Sequence, residues 1–279
     1  MLTRHVGLVS QTSKITPSEL NIVAAALQKQ VTRDFGPIWG VQATVSAYTD
    51  LKVVPSDYWP VIMKDDIQTA GAAGVHEDNN GQPFALVQYS PQWSLTASHE
   101  TLEMLGDPFG KRIVGGQSPK AGQGRVNFLV EVCDPSEDAA FAYTVNGVTV
   151  SDFYTPHFFD PVASAGVRYS YQGAIKKPRS ILKGGYLSWI VPQSNEWFQQ
   201  IWFGPKPTFR SLGVQNTKKG ESLRAWVDSK TITPQQKAVL AGNAKLPTEK
   251  QKVYDLAIDA SEGRGLHLVT QVKALCAAK

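Results

Sequence analysis

The apolar and polar positions of the first forty residues predict a strand followed by a helix. The short apolar run His5–Ser10 is typical of a buried strand. In the next segment the apolar positions recur at helical spacing, and Thr16 with Glu19 forms a capping box around Pro17. We therefore expect an amphipathic helix that ends near Gly36.

Three further strands and a second helix are predicted next. β-branched residues indicate a strand over Val41–Thr49, and another is expected at Val61–Met63, where Pro60 favours a first position or an edge. The run Phe84–Tyr89 predicts the strand that we place at the sheet edge. The helix behind it carries the stretch ASHETLEMLGDP. It is expected to end at Gly106, because a glycine followed closely by a proline is a common stop signal.

The remaining chain is first rich in β and aromatic residues and then helical. Arg125–Pro135 predicts a strand, and Asn146-Gly147 between two β-branched runs predicts a tight hairpin. Aromatic residues then become rare and three short helical segments follow. The predicted fold is α+β: a mixed sheet with a motif-bearing helix and an aromatic β-rich or irregular extension over residues 1–212, and a small helical appendage over residues 213–279.

Composition and charge limit the classes of function. Hydrophobic residues make up 42% and charged residues 19%, as in folded globular proteins. The net charge of +4 comes without a run of like charges, so no nucleic-acid partner is expected. No membrane span and no secretory signal are predicted, which favours a cytoplasmic or phage-associated protein. Cys133 and Cys276 stand far apart and are expected to be free thiols.

The stretch on the second helix contains half of the zinc-protease signature H-E-x-x-H. His99 and Glu100 are present, and Glu103 replaces the second histidine. Residues four apart share a helix face, so His99 and Glu103 can bind one ion. Glu100 is turned about 100° away, where it could accept a proton from a water bound to that ion. Alternatively, His99 is a core histidine and both glutamates are solvated.

A catalytic metal also needs a third protein ligand and an open position. Asp107, just past the helix end, is the first candidate, Asp134 or Glu131 is the second, and His157 is the third. Asp107 and Asp134 both precede proline, so each could instead begin a turn. With Glu131 nearby, they could also share a calcium ion.

The order of strands and helix up to this motif resembles the zincin metallopeptidases over roughly residues 5–110. Gly106 stands where the metzincins have a turn glycine. The resemblance implies that His99 is a metal ligand and Glu100 the general base. It implies that Glu103 takes the second ligand position with a changed residue type.

The chain also departs from the metzincin pattern. Phe109 stands at the third ligand position, and no methionine follows Met104 to make a Met-turn. Residues 76–78 are predicted as a loop, which would border the substrate cleft in zincins or form a polar hairpin tip. The motif together with EVCDP also resembles a group of uncharacterised bacterial and phage proteins, up to about residue 190, and this likeness implies no activity.

Two functions are therefore expected. In the first, a metal-dependent peptidase or amidohydrolase, Glu100 activates a metal-bound water. Zinc is the expected ion, with calcium or manganese as alternatives, because a His/Glu/Asp site is harder than a histidine-rich one. Strand Phe84–Tyr89 would align a peptide or protein substrate by β-augmentation. In the second, a catalytically inactive zincin-like protein serves as a structural or binding component, for example of a phage particle or a secreted complex, and contacts a protein assembly partner.

Overall fold

The computed structural model describes residues 2–67, 73–79, 81–216 and 222–231. Helices and strands are mixed along these ranges, which confirms the predicted α+β class. The strands before the motif helix are β1 (Arg4–Ser10), β2 (Ala43–Tyr48), β3 (Tyr58–Lys64), β4 (Gly74–Asn79) and β5 (Gln82–Gln88). They form one sheet in the order β2-β1-β3-β5-β4, in which β4 alone runs antiparallel to its neighbour.

The first helix, α1 (Pro17–Lys29), begins at the predicted residue. The Glu19 backbone N–H donates to the Thr16 hydroxyl, and the Thr16 N–H donates to the Glu19 carboxylate at 2.8 Å. This capping box satisfies donors that a helix start leaves without partners. The buried residues of α1 are Leu20, Val23, Ala24, Ala26 and Leu27.

The helical run continues beyond the predicted end near Gly36. A π-helical turn leads into α2 (Gly36–Trp39), and Gly40 ends the run with a left-handed φ of 65°. Gly36 itself keeps a helical conformation. A β-carbon at that position would lie 2.5 Å from the Val41 carbonyl oxygen, so the residue permits a close approach of the backbone and is not a stop signal.

The strand that we expected at the sheet edge lies inside the sheet. β5 pairs with β3 on one side and β4 on the other, so the edge prediction for Phe84–Tyr89 is wrong. The outer strand is β4, and the prediction of a loop at residues 76–78 is also wrong, because they lie in this strand. The prediction of a first position or an edge for Pro60 is also wrong, because Pro60 is the third residue of the inner strand β3. The strand tolerates it because β3 pairs there with β1 alone and its pairing with β5 begins at Val61.

The motif helix, α3 (Trp93–Gly106), lies against the first sheet and ends at the predicted residue. Successive strand residues point to opposite faces of the sheet: Met63 and Val87 join the main core with the helices, while Ile62 and Leu86 join a smaller cluster. Most of α3 is buried, polar residues included. Because buried polar groups need partners, those of α3 must find them inside the protein.

The strands after α3 are β6 (Ile113–Gln117), β7 (Arg125–Leu129), β8 (Tyr143–Val145), β9 (Val148–Val150), β10 (Tyr186–Val191), β11 (Glu196–Ile201) and β12 (Thr208–Val214). β8 and β9 form the predicted hairpin, with positive φ at Asn146 and Gly147. The other five form an antiparallel sheet in the order β12-β11-β10-β7-β6. β7 is shorter than the predicted strand over Arg125–Pro135, and the rest of that segment leads into the site described below.

A last described helix, α4 (Leu223–Lys230), packs on the second sheet. Its Trp226 belongs to a cluster with Trp197 and Leu129. The boundary predicted after residue 212 falls within β12, and the three tail helices predicted from residue 234 onward lie outside the described residues. Within the described ranges, no helix has the length and apolar character needed to cross a membrane.

Candidate metal centre

Four separate parts of the chain bring acidic, histidine and arginine side chains together beside α3. The contributing residues are His76 of β4; His99, Glu100 and Glu103 of α3; Glu131 and Asp134 after β7; and Arg224 and Asp228 of α4. Apart from Asp228, none of these side chains is more than 13% exposed. Burying so many ionisable groups is costly unless each is paired, protonated or bound to an ion.

The predicted pair on α3 is joined by Asp134. His99 Nε2 lies 3.4 Å from Glu103 Oε1 and 3.2 Å from Asp134 Oδ1. One ligand-capable atom of each of these three residues lies within 4.8 Å of the other two. Asp134 reaches this position because the chain turns sharply after β7, where a 3₁₀ turn begins at this residue.

Glu103 is held in place from two sides. Its Oε1 accepts a hydrogen bond from the Cys133 N–H at 3.2 Å, and its Oε2 accepts one from the Arg224 guanidinium. Burial alone would raise the pKa of Glu103, but the charges of Arg224 and His99 lower it below its ordinary value. The Glu103 side chain is therefore a carboxylate. The neighbouring Cys133 thiol is buried and free, and burial raises its pKa, which disfavours the reactive thiolate.

Glu131 and Asp134 lack such support. None of their carboxylate oxygens has a hydrogen-bond partner among the described residues. Burial raises the pKa of both groups, and the charges of Asp134 on Glu131 and of Glu103 on Asp134 raise it further. Burial would lower the pKa of His99, but the charge of Glu103 raises it well above its usual value. The site thus attracts protons or another cation.

The other two ligand candidates lie outside this group. The Asp107 carboxylate accepts a hydrogen bond from the Arg112 N–H at 2.7 Å, as expected of a turn residue. The His157 side chain is 61% exposed and contacts Asp160 at 2.9 Å. Of the two Asp-Pro units, one therefore supports its own turn, while Asp134 directs its carboxylate to the histidine.

His76 is a site residue that sequence reasoning did not select. Its Nδ1 lies 3.6 Å from Glu100 Oε2 and 3.7 Å from Glu103 Oε2. The three residues form a second group whose ligand-capable atoms lie within 4.8 Å of one another. The sequence feature that could have identified His76 is the Asn-Gly pair that follows it. Such a pair predicts a tight hairpin, a hairpin needs a strand on each side, and the strand before the turn contains His76.

Arg224 was also missed. Besides its hydrogen bond to Glu103, its guanidinium lies 3.8 Å from Glu131 Oε1, 4.0 Å from Glu100 Oε2 and 3.3 Å from Asp228 Oδ2. In the sequence, Arg224 and Asp228 stand four apart in a short helix, which is typical of an exposed ion pair. No local pattern indicates that this helix directs an arginine into the interior.

Comparison of the chain with models of protein families, with curated proteins and with solved structures finds no match. Its chemistry must therefore be read from the site itself. Imidazole and carboxylate groups are ligands for zinc and for harder divalent ions, and both kinds are present here around a shared carboxylate. The arrangement is suited to binding a divalent cation, and Glu100 lies on the side of the cluster that His76 occupies.

Proposed function

We propose that this protein is a metal-dependent hydrolase, a peptidase or amidohydrolase, whose ion is held by His99, Glu103 and Asp134. The observation that carries the proposal is the convergence of these three buried side chains while both Asp134 oxygens lack a hydrogen-bond partner among the described residues. Unpartnered buried carboxylate oxygens are costly, and bonds to an ion would satisfy them.

The separations between the ligand atoms agree with this assignment. Two atoms that each lie about 2.0–2.1 Å from a tetrahedral zinc ion are about 3.3–3.4 Å apart. The His99 nitrogen is 3.4 Å from the Glu103 oxygen and 3.2 Å from the Asp134 oxygen. Both separations measured from His99 therefore suit zinc, and manganese is the alternative that the two carboxylates favour.

Different residues of the chain have different roles in the proposed hydrolysis. A bound divalent ion lowers the pKa of a coordinated water and polarises a substrate carbonyl. The Glu100 carboxylate accepts the proton of the attacking water and later donates it to the leaving amine. Arg224 positions Glu103, and the Cys133 N–H fixes the second oxygen of that carboxylate.

The outer strand β4 is the element that best suits an extended substrate. It replaces β5 in the β-augmentation hypothesis, because β5 is paired on both sides. A peptide that added to β4 would run past His76 and approach the Glu100 side of the centre. The fold supports a zincin-like arrangement to the extent that a mostly parallel sheet, an antiparallel outer strand and the motif helix lie together.

Metal analysis of protein purified without chelator tests the proposal. Wild type should contain bound metal, His99→Ala should lose it, and the exposed-histidine control His157→Ala should keep it. Glu100→Gln should lower turnover on a panel of peptide and cell-wall substrates by roughly 10²–10⁴-fold. Wild type without metal, or His99→Ala that retains it, would refute the metal centre.

A second candidate function is a catalytically inactive binding or structural protein. Arg224 favours it, because its guanidinium already supplies one positive charge to Glu103 in a buried site. In this case the ion, or the arginine alone, stabilises the fold, and the protein acts through an assembly partner. Stoichiometric metal together with no turnover on any substrate of the panel would support this candidate over the hydrolase.

A further inference from the structure

The Glu103 carboxylate presents its two oxygens to two different histidines. Oε1 lies 3.4 Å from His99 Nε2, and Oε2 lies 3.7 Å from His76 Nδ1. Glu100 Oε2 lies 3.6 Å from the same His76 nitrogen. Two groups of ligand-capable atoms thus share Glu103, one completed by Asp134 and the other by Glu100.

The surroundings of His76 select the nitrogen that faces the carboxylates. Its Nε2 lies 3.1 Å from the Asp107 carbonyl oxygen, which can only accept, so Nε2 carries a proton. Nδ1 is buried and has no hydrogen-bond partner in the described part of the chain. A protonated Nδ1 would approach a carboxylate to about 2.8 Å, whereas the observed separations exceed hydrogen-bond length.

This is the arrangement of a histidine ligand. A metal-binding histidine commonly donates its other ring N–H to a backbone carbonyl, which fixes the ring and leaves a lone pair for the ion. At His76 the lone pair faces Glu100 Oε2 and Glu103 Oε2, and three groups that only accept repel one another. The Arg224 guanidinium contacts both carboxylates, and a divalent cation beside Nδ1 would satisfy the histidine as well. Glu100 Oε2 also lacks a hydrogen-bond partner among the residues described.

The charges around the two groups of ligand-capable atoms also favour bound cations. Six carboxylates stand against the single guanidinium of Arg224 in the described part of the cluster, namely those of Glu100, Glu103, Glu131, Asp134, Glu137 and Asp228. When all six are ionised and both histidines are neutral ligands, five negative charges are unmatched by cationic side chains within the described cluster. One divalent ion would leave three of these charges, and two divalent ions would leave one.

Because Gly74 has no side chain, strand β4 can approach α3 closely enough to place His76 beside Glu100. A β-carbon at Gly74 would lie 2.6 Å from Glu100 Oε1 and 2.7 Å from Thr96 Cγ2. The strand backbone thus lies directly against the Glu100 carboxylate. Any larger residue at this position would push Glu100 or the strand that carries His76 aside.

We propose that the protein binds a second divalent transition-metal ion between His76, Glu100 and Glu103, and that Glu103 bridges it to the first ion. The inference rests on the proposed function for the first ion, and it changes Glu100 from a lone proton acceptor into a ligand. Arg224 is compatible with it, because a carboxylate oxygen has two lone pairs and can accept a hydrogen bond while it binds an ion. The two ions would lie about 3.5–4 Å apart, as in two-metal hydrolases.

Metal counting on the full chain tests the second position. Metal-free protein is titrated with Mn²⁺ or Zn²⁺, and bound metal is measured after removal of excess ion for wild type, His76→Ala, Glu100→Gln and Gly74→Ala. Wild type should bind two equivalents and each variant about one. Gly115→Ala, a strand glycine whose added β-carbon meets only ordinary contacts at 3.5 Å, should still bind two.

A second measurement does not depend on the folding of a variant. Wild type loaded with Mn²⁺ should show an exchange-coupled electron paramagnetic resonance spectrum, and zinc-loaded protein a metal–metal distance by X-ray absorption. One equivalent in wild type, with an uncoupled spectrum, would overturn the second site and leave the proposed function intact. No metal in wild type would overturn both. A second equivalent that appears only in Arg224→Met would also overturn the proposal, since the guanidinium would then occupy that position.

Discussion

Asp34 and Asp134 are both buried aspartates, but their surroundings differ. Asp34 accepts hydrogen bonds from the Arg33 guanidinium and from the hydroxyls of Tyr171 at 2.7 Å and Tyr143 at 3.0 Å. Both Asp134 oxygens lack a hydrogen-bond partner among the described residues. Burial alone would raise the pKa of either group, yet the donors around Asp34 hold its pKa below the ordinary value, while that of Asp134 is raised.

The difference separates a structural carboxylate from a candidate ligand. Buried charge alone does not mark a functional site, because the Asp34 network meets every demand of its carboxylate with protein donors. Around Asp134 the His99 ring nitrogen lies 3.2 Å away, yet no described group makes a hydrogen bond of proper geometry to either oxygen. An incomplete set of donors in a buried site is what a bound ion would complete.

The largest effect is expected from Arg224→Met. Removing one partner of a buried ion pair should lower the free energy of unfolding of metal-free protein by about 3–5 kcal/mol, because Glu103 loses its main counter-charge. A divalent ion at saturating concentration should recover much of this loss, since it neutralises the same carboxylate. Chemical denaturation with and without metal measures both effects.

The control for this prediction is Lys230→Met, which removes an exposed cation from the same helix. It should change the free energy of unfolding by less than about 0.5 kcal/mol. If Arg224→Met were equally mild in metal-free protein, the guanidinium would not be compensating the buried carboxylates.

A matched pair of isosteric substitutions compares the two aspartates directly. In metal-free protein at pH 8, Asp34→Asn should lower the free energy of unfolding by about 2–3 kcal/mol, because it breaks charge-assisted hydrogen bonds. Asp134→Asn should raise it by on the order of 1 kcal/mol, because it removes a charge that the site disfavours. With metal present, Asp134→Asn should lose most of the metal-dependent gain and Asp34→Asn should keep it. Equal destabilisation by both substitutions would contradict the distinction.

The smallest effect concerns pH. The pKa values of Glu131, Asp134 and His99 are raised in the folded protein, so the folded state binds more protons than the unfolded state. Stability of metal-free protein should therefore fall as pH rises from about 5 to 8. Metal must displace these protons, so its affinity should rise over the same range, roughly tenfold per pH unit for each proton released.

Calorimetric titration of metal at several pH values checks this slope, and proton release appears as a dependence of the heat on the buffer. His157→Gln, which changes an exposed histidine, should keep the slope of wild type. An affinity that stays constant or weakens with rising pH would rule out protonated ligands in the metal-free centre.

Local features of the fold could be predicted from the sequence. The capping box of α1, the Asn146-Gly147 hairpin and the end of α3 at Gly106 each depend on residues close together in the chain. On the helix that carries the motif, His99 and Glu103 share a face for the same reason. Four-residue spacing on a helix fixes their separation whatever the tertiary contacts are.

Other features depend on contacts that no local pattern contains. Which strand forms the sheet edge depends on whether residues 74–79 pair with β5. The Gly- and Ala-rich sequence that precedes these residues is typical of a loop, so it gave no indication of this pairing. Asp107 and Asp134 have the same Asp-Pro pattern, and only the course of the chain after β7 directs Asp134 to His99. Arg224 could not be assigned, because its partner Glu103 lies 121 residues away.

That long separation has a consequence for the growing chain on the ribosome. The carboxylates of α3 and the residues after β7 are synthesised well before α4 supplies its guanidinium. Until then, the nascent centre holds these acidic groups without the guanidinium that contacts them. Water can solvate them at this stage, so their burial should follow the synthesis of α4 or the capture of protons or a divalent ion.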